Sequence, residues 1–357
     1  MANRRRIVVA MSGGVDSTVA AALLVEQGYD VIGMMLRLWS ETGQEIDNRC
    51  CNPDSISSAR QAANSLNIPF YVIDSKKEFR ERVVDYFIDG YTHGVTPNPC
   101  VKCNKNIRWG FLFDKAQQAG ADYMATGHYA RVVSNNTNEY SLLRGQDSTK
   151  DQSYVLHVLS QNQLSKTKFP LGELTKYQVR QLASNLGLPV YNRQESQDLC
   201  FLGNDSYQSF LLRQTPDVKN PGPFVSGDGD EIGEHQGLAF YTIGQRKGLG
   251  ISASNPLYVI EKNISTNTII LGSREELARK EFIVAEINWI SGLAPTTTFK
   301  CSVQTRYRAK NTPCFVKPLT NGDAQVTLLN PIPDITPGQA AVFYERDTCL
   351  GGGIIQI

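Results

Sequence analysis

Apolar residues along this chain change their spacing in a way that marks its architecture. Ile7-Val8-Val9-Ala10-Met11 is a short unbroken apolar run, the pattern of a strand buried on both faces. From about Asp16 to Gln27 the apolar positions fall at Val19, Ala20, Leu23 and Leu24, one helical stripe that Gly28 ends, and Asp30 to Leu38 resumes a strand. Asp54 is expected to cap a helix through Ala59, Ala62, Ala63 and Leu66. Phe70 to Ile73 and Tyr123 to Thr126 read as strands, Glu78 to Ile88 and Ile107 to Ala116 as helices. Helices alternating with apolar strands imply an α/β fold with a doubly wound parallel sheet, whose ligands gather beyond the carboxyl ends of the strands.

A further helix over Lys176 to Leu186 ends at Gly187 and Pro189, and beyond about Asn204 the pattern changes. Turn residues crowd Pro221 to Gly237 around a short strand at Phe224-Val225, and from Leu257 onward apolar runs alternate with Asn-Gly and Pro-Gly turns. The charged break at Gly272 to Glu281 divides this β-rich part into a small middle unit and a C-terminal barrel or sandwich. A chain of 357 residues exceeds what one core usually serves. The expected domains are therefore 1–204, 205–275 and 276–357.

A formal net charge of +1 excludes a cationic coat, so any nucleic-acid surface must come from local clusters of Lys and Arg. Five apolar residues after Arg4-Arg5-Arg6 are too few for a signal-peptide core, and no segment reaches membrane-spanning length, so a cytoplasmic protein without membrane contact is expected. Eight cysteines in such a chain are too sparse for a disulfide scaffold and read as buried thiols, ligands or reactive groups.

Directly after the first strand comes Ser12-Gly13-Gly14-Val15-Asp16-Ser17. Two glycines allow a tight turn and close approach to an anion, and the helix opening behind them offers unpaired amides and a positive dipole end. No Gly-Lys-Ser/Thr closes the loop, and the Gly-x-Gly-x-x-Gly spacing is absent, which sets aside the two common nucleotide loops. The segment resembles the pyrophosphate loop of ATP pyrophosphatases. Two cysteine segments add a second chemistry. Thr96-Pro97-Asn98-Pro99-Cys100-Val101-Lys102-Cys103-Asn104-Lys105 feeds a helix, whose dipole, with Lys102 and Lys105, would favour the Cys103 thiolate. Ser196-Gln197-Asp198-Leu199-Cys200-Phe201-Leu202-Gly203 closes the α/β region.

With these occur Thr126-Gly127-His128-Tyr129-Ala130-Arg131, Lys150-Asp151-Gln152-Ser153-Tyr154, the glycine-rich Tyr241 to Gly250 and Arg306-Tyr307-Arg308. In this order they resemble the bacterial tRNA-specific 2-thiouridylases over essentially the full length. The resemblance implies ATP-dependent 2-thiolation of the wobble uridine of tRNAs for Lys, Glu and Gln. ATP would lie on Ala10, Met11, Ser12, Gly13, Gly14, Val15, Asp16, Ser17, Leu36 and Gly127, with magnesium bridging its phosphates. Leu36 stands where the family pattern has methionine, an exchange that keeps an apolar contact to adenine. Adenylation turns the C2 oxygen into a leaving group. Cys200 would carry a persulfide loaded by a cysteine desulfurase through sulfur-relay proteins, and Cys103 would act as the attacking thiol, leaving a transient Cys103–Cys200 disulfide. The resemblance further assigns tRNA contacts to Asn98, Pro99, Cys100, His128, Lys150, Asp151, Gln152, Arg306, Tyr307 and Gln339, in a monomeric enzyme whose C-terminal barrel binds tRNA.

Cys100 occupies a place where many family members carry Asp. A thiol there creates a Cys-x-x-Cys pair that, with Cys200, would supply three thiolates for an iron–sulfur cluster, a less favoured alternative mechanism; zinc lacks a clear fourth ligand. Adjacent Cys50 and Cys51 read as bystanders, and His93, His157 and His235 receive no role. Arg306, Arg308 and Lys310 alternate along an expected strand, a stripe suited either to phosphate contacts or to an ordinary solvated face. Competing functions are another ATP pyrophosphatase acting on a small molecule, which needs no thiol pair, and a non-catalytic RNA-binding protein with a relic loop.

Overall fold

The computed structural model describes residues 4–41, 52–188, 199–203, 205–333 and 335–356. Its first seven strands are β1 (Arg6–Ala10), β2 (Asp30–Arg37), β3 (Phe70–Asp74), β4 (Tyr123–Thr126), β5 (Ala130–Ser134), β6 (Tyr140–Arg144) and β7 (Thr167–Lys168). Five of them form a parallel sheet in the order β3-β2-β1-β4-β7. Ile7, Val8 and Val9 of the central β1 have no exposed surface, as an unbroken apolar run requires. Helix α1 (Val15–Glu26) buries Ala21 and Leu24 against Ile7, Val9 and Val31 of the sheet, and Val19 and Ala20 against Val179 and Ala183 of the helix Lys176–Asn185.

The helices expected over 16–27, 54–66 and 176–186 hold to within a residue, with one corrected cap, whereas those expected over Glu78 to Ile88 and Ile107 to Ala116 are parts of longer helical runs, 76–92 and 99–118. Asn52, rather than Asp54, caps the helix Pro53–Ser65, its Oδ1 accepting from the Ser55 amide at 2.8 Å. Proline fits the first helical position, where its missing N–H is not needed, so the residue before Pro53 becomes the cap and Asp54 falls in the first turn.

The hairpin β5–β6 was not anticipated, and it leaves the parallel sheet altogether. It pairs with itself and then with β17 (Thr348–Gln356) of the C-terminal part. Before that part come β8 (Gly222–Ser226), β9 (Glu231–His235), β10 (Tyr258–Asn263) and β11 (Thr268–Gly272), a small sheet in the order β10-β11-β8-β9. The last strands are β12 (Arg279–Trp289), β13 (Phe299–Gln304), β14 (Thr312–Pro318), β15 (Ala324–Ile332), β16 (Ala340–Glu345) and β17. They run antiparallel in the order β12-β15-β14-β13-β16-β17, and a β12–β17 pairing closes them into a barrel. The expected strand through Arg306, Arg308 and Lys310 is not formed: β13 ends at Gln304, β14 begins at Thr312, and Arg308 turns the chain at φ +65°. Tyr307, on the face opposite the charges, stays exposed with its ring beside the Arg308 guanidinium, so a strand here would have no buried face to fix it.

Two shared cores fasten these parts together. Phe79, Phe87, Phe201 and Phe210 pack in one apolar cluster with Phe224, Val259 and Ile269 of the small sheet. Val8, Trp109 and Leu142 pack with Val342 and Tyr344 of the barrel. At the second junction Arg144 donates to Asp151 Oδ2 at 2.7 Å, Asn311 Oδ1 at 2.9 Å and Gln304 Oε1 at 3.1 Å, while its guanidinium stacks 3.6 Å from the Tyr344 ring centre. The Asp151 side chain is only 6% exposed. Removing its cation leaves a buried charge without its ionic partner, so Arg144→Gln is expected to lower unfolding free energy by about 3 kcal/mol in denaturant titration. A loss below about 1 kcal/mol would mean that the junction does not depend on this pair.

Candidate functional site

Gly13 turns the chain out of β1 at φ +74°, a conformation glycine adopts without strain. Gly14 then serves as the N-cap of α1, and no side chain caps that end, so the first amides of the helix face the loop. Side-chain bonds hold the loop in shape. The Ser12 amide donates to Ser17 Oγ at 3.1 Å, Ser17 Oγ donates to Gly14 O at 3.2 Å, and Thr18 Oγ1 donates to the same carbonyl at 3.0 Å. A cradle of backbone donors at a helix N-terminus is an anion site. Of the expected nucleotide residues, Met11 and Val15 are buried in the core, so only their backbones face the loop, while Ala10 pairs with Met34 and Thr126 in register. Leu36 is half-buried near the carboxyl end of β2, opposite Ile73.

Asp16 is held from outside the loop. Lys176 Nζ lies 2.7 and 2.8 Å from its two carboxylate oxygens, and the Tyr129 hydroxyl donates to it at 2.8 Å. Gly127, just past β4, has no room for a side chain: a methyl group there would meet the Asp16 carbonyl carbon and the Ser17 amide nitrogen at 2.7 Å. Its part in the site is therefore the close approach of two backbones.

Asn98 caps the helical run that carries Cys103, accepting from the Val101 amide at 3.2 Å, with buried Pro99 at the first helical position. Cys103 lies in the second turn. The expected help from Lys102 is redirected, because its ammonium binds Glu286 Oε2 of the barrel at 3.0 Å and covers the Tyr86 ring at 4.8 Å. Cys103 and Cys200 are both half-buried and pack against one apolar cluster, the same cluster that Leu36, Leu38 and Trp39 join from the carboxyl end of β2. Phe201 anchors the Cys200 segment there, with ring centres 5.2 Å from Phe87 and 5.5 Å from Phe210. Cys100 is exposed. Among the described residues no three His, Cys, Asp or Glu side chains converge as a metal site would require, so Cys100, Cys103 and Cys200 do not fit a cluster in this arrangement. Cys50, Cys51, Ser196, Gln197 and Asp198 lie outside the described residues.

His128 is buried, with Nδ1 2.7 Å from Thr126 Oγ1 and Nε2 3.2 Å from Arg108 Nη1. Burial, and then the charge of Arg108, push its pKa well below the usual histidine value, so the ring is neutral. Arg108 was not singled out from the sequence; the available signal was a cation five residues after Cys103 on the same helical run.

The other residues assigned to tRNA divide into connectors and surface groups. Asp151 binds Arg144, the Gly145 and Ser153 amides and the Ser153 hydroxyl. Gln152 Oε1 accepts from the Tyr129 amide at 3.0 Å. Gln339 Nε2 donates to Thr96 O at 2.9 Å, tying the barrel to the loop before Cys100, and Arg306 bonds the Thr336 hydroxyl and Ile243 O. Lys150 and Arg308 instead line an open cleft of about 560 Å³ with Arg144, Thr149, Gln304 and Asn311. Tyr307 is exposed beside it, its ring 5.4 Å from the Arg308 guanidinium.

Comparison with known proteins places the chain. Residues 5–204 match the family described as "tRNA methyl transferase HUP domain", 208–273 the "tRNA methyl transferase PRC-barrel domain" and 279–355 the "Aminomethyltransferase beta-barrel domain". The tRNA-specific 2-thiouridylase MnmA of Chloroflexus aggregans is 46% identical over 350 residues, 98% of each chain. The enzyme of the same name from Magnetococcus marinus is 44% identical over 357 residues, covering 99% of this chain and all of that one. A solved U34-tRNA thiolase, NcsA from Methanococcus maripaludis, is 19% identical over 61% of this chain and 66% of its own, with a TM-score of 0.36, too slight a likeness to argue from.

Two outcomes are expected of this geometry. Gly127→Ala forces β4 away from the loop and should weaken ATP binding at least about tenfold, read by calorimetry, because donors at an anion site must hold their positions. His128 stays neutral in the fold, and burial also pushes His157 down to about 4. Between the unfolded value of about 6.5 and those lowered values only the unfolded chain binds the protons. Stability should therefore fall as pH drops from about 7 toward 4, by up to about 1.4 kcal/mol per unit for each histidine, and His128→Asn should reduce that slope.

Proposed function

This chain belongs to the family of tRNA-specific 2-thiouridylases, and from that premise we propose that it is an ATP-dependent tRNA-uridine 2-sulfurtransferase that converts the wobble uridine of Lys, Glu and Gln tRNAs to 2-thiouridine. One observation carries the reading: Cys103 and Cys200 border a single apolar cluster that reaches the carboxyl end of β2, beside a loop built for pyrophosphate. A small-molecule pyrophosphatase has no use for that pair.

The uridine O2 attacks the α-phosphorus of ATP, the bond to pyrophosphate breaks, and the loop amides from Ser12 to Ser17 receive the departing charge. ATP enters as its magnesium complex. Asp16 is already engaged by Lys176 and Tyr129, so the ion is assigned to the phosphates rather than to this carboxylate. Cys200 carries sulfur as a persulfide. The Cys103 thiolate attacks the Cys200 sulfur, the bond to the terminal sulfur breaks, and that sulfur passes to C2 as AMP leaves. Two electrons remain withdrawn in a Cys103–Cys200 disulfide, which a dithiol reductant reopens.

A cysteine desulfurase with relay proteins is the proposed sulfur source, and a cytoplasmic monomer the working form. Among the described residues no helix is long and apolar enough to cross a membrane. Domains 1–204, 205–275 and 276–357 are the proposed division, with the barrel and the cleft at Lys150 and Arg308 facing tRNA. Cys103→Ser and Cys200→Ser should each abolish 2-thiouridine, measured by nucleoside mass analysis, while leaving ATP affinity and tRNA-dependent exchange of pyrophosphate into ATP within about threefold of wild type. Undiminished thiolation in either variant would overturn the mechanism.

A further inference from the structure

The Cys103 helix does not stay α-helical. Pro99–Cys103 is α, Asn104–Leu112 is π and Phe113–Gln118 is α again, and a π segment of this kind is frequent at functional sites. Within it, Arg108 Nη1 donates to Asn104 Oδ1 at 3.0 Å and to His128 Nε2 at 3.2 Å. Asn104 and His128 are both buried. Arginine can only donate, so Nε2 of His128 must accept; the ring proton then sits on Nδ1 and is donated to Thr126 Oγ1, 2.7 Å away. Both groups are uncharged hydrogen-bond acceptors, and together they orient the guanidinium.

The place where it is fastened matters as much. Thr126 ends β4 and pairs in register with Ala10, the last residue of β1 before the loop, while Gly127 lies against the backbone of Asp16 and Ser17. The rigid chain Thr126–His128–Arg108 thus starts on the strand end that adjoins the loop and finishes on the helix of Cys103. Lys176, the lysine beside the loop, holds the Asp16 carboxylate.

We infer that Arg108 is a catalytic residue of the adenylation step: its guanidinium contacts the non-bridging oxygens of the ATP α-phosphate as uridine O2 bonds to phosphorus and pyrophosphate departs, with Asn104 and His128 as its positioning residues. The inference rests on the function proposed above. It assigns the loop amides to the leaving pyrophosphate and Arg108 to the phosphate that is transferred, so that one protein cation stays with the adenylyl group when the other phosphates leave. A planar fork suits two oxygens of one phosphate better than an ammonium does.

The test uses the full-length protein, unmodified tRNA and the two diastereomers of ATP with sulfur on the α-phosphate. Arg108→Gln should slow tRNA-dependent exchange of pyrophosphate into ATP at least about 100-fold while ATP affinity and melting temperature stay near wild type, and Arg108→Lys should recover about tenfold of that loss. Wild type should prefer one diastereomer in exchange, and Arg108→Gln should shrink the preference about tenfold or more, a readout that a purely structural role leaves alone. His128→Asn should fall between wild type and Arg108→Gln in rate. Exchange by Arg108→Gln within threefold of wild type, or an unchanged diastereomer preference in the folded Arg108→Lys and Arg108→Gln proteins, overturns the inference alone. Absence of tRNA-dependent exchange in wild type overturns the proposed function and this inference with it.

Discussion

Gly127 has no side chain because the backbone of Asp16 and Ser17 occupies the space where one would stand. That contact between the end of β4 and the start of α1 sets the shape of the site. It fixes the loop from the sheet side, while the bonds of Lys176 and Tyr129 to Asp16 fix it from the outer side. Between them the uncapped first turn of α1 is presented to an anion without a flexible side chain intervening. Water satisfies such exposed amides in the absence of a ligand, and a phosphate group can replace it in turnover.

The second requirement is that sulfur chemistry reach the same place. Cys103 enters from a helical run of the parallel-sheet domain, and Cys200 from the segment leading toward the small sheet. They are brought to one cluster by packing. Phe201 inserts among Phe79, Phe87 and Phe210, and the small sheet contributes Phe224 and Val259 to the same core. Apolar burial of this kind positions the Cys200 segment. The barrel acts at longer range. Glu286 draws Lys102 aside, and Gln339 holds the backbone of Thr96, so the loop before Cys103 is clamped by the domain expected to carry the tRNA.

Much of this was legible in the chain. The β1 run, the paired glycines, the helix stripe of α1 and the strand at Tyr123 to Thr126 are local signals, and each formed where its pattern placed it. The hairpin β5–β6 escaped because its partner, β17, lies some two hundred residues further on, and no local pattern specifies a pairing of that kind. Tertiary context also changed what individual residues do. Asp151, Gln339 and Arg306, assigned to tRNA from the family resemblance, are tied into junctions between domains, Gln152 accepts from the Tyr129 amide within its own domain, and His128 is buried behind Arg108. A polar residue in a motif advertises that it has a partner; whether the partner is a ligand or the protein's own backbone is decided by the fold.

The central claim is that Cys103 and Cys200 act on one transferred sulfur. The most direct measurement is a single turnover with persulfide-loaded protein, ATP and unmodified tRNA, without reductant, followed by peptide mapping of the thiols. The account predicts one Cys103–Cys200 disulfide for each 2-thiouridine formed. Thiouridine produced while both cysteines remain reduced would contradict it.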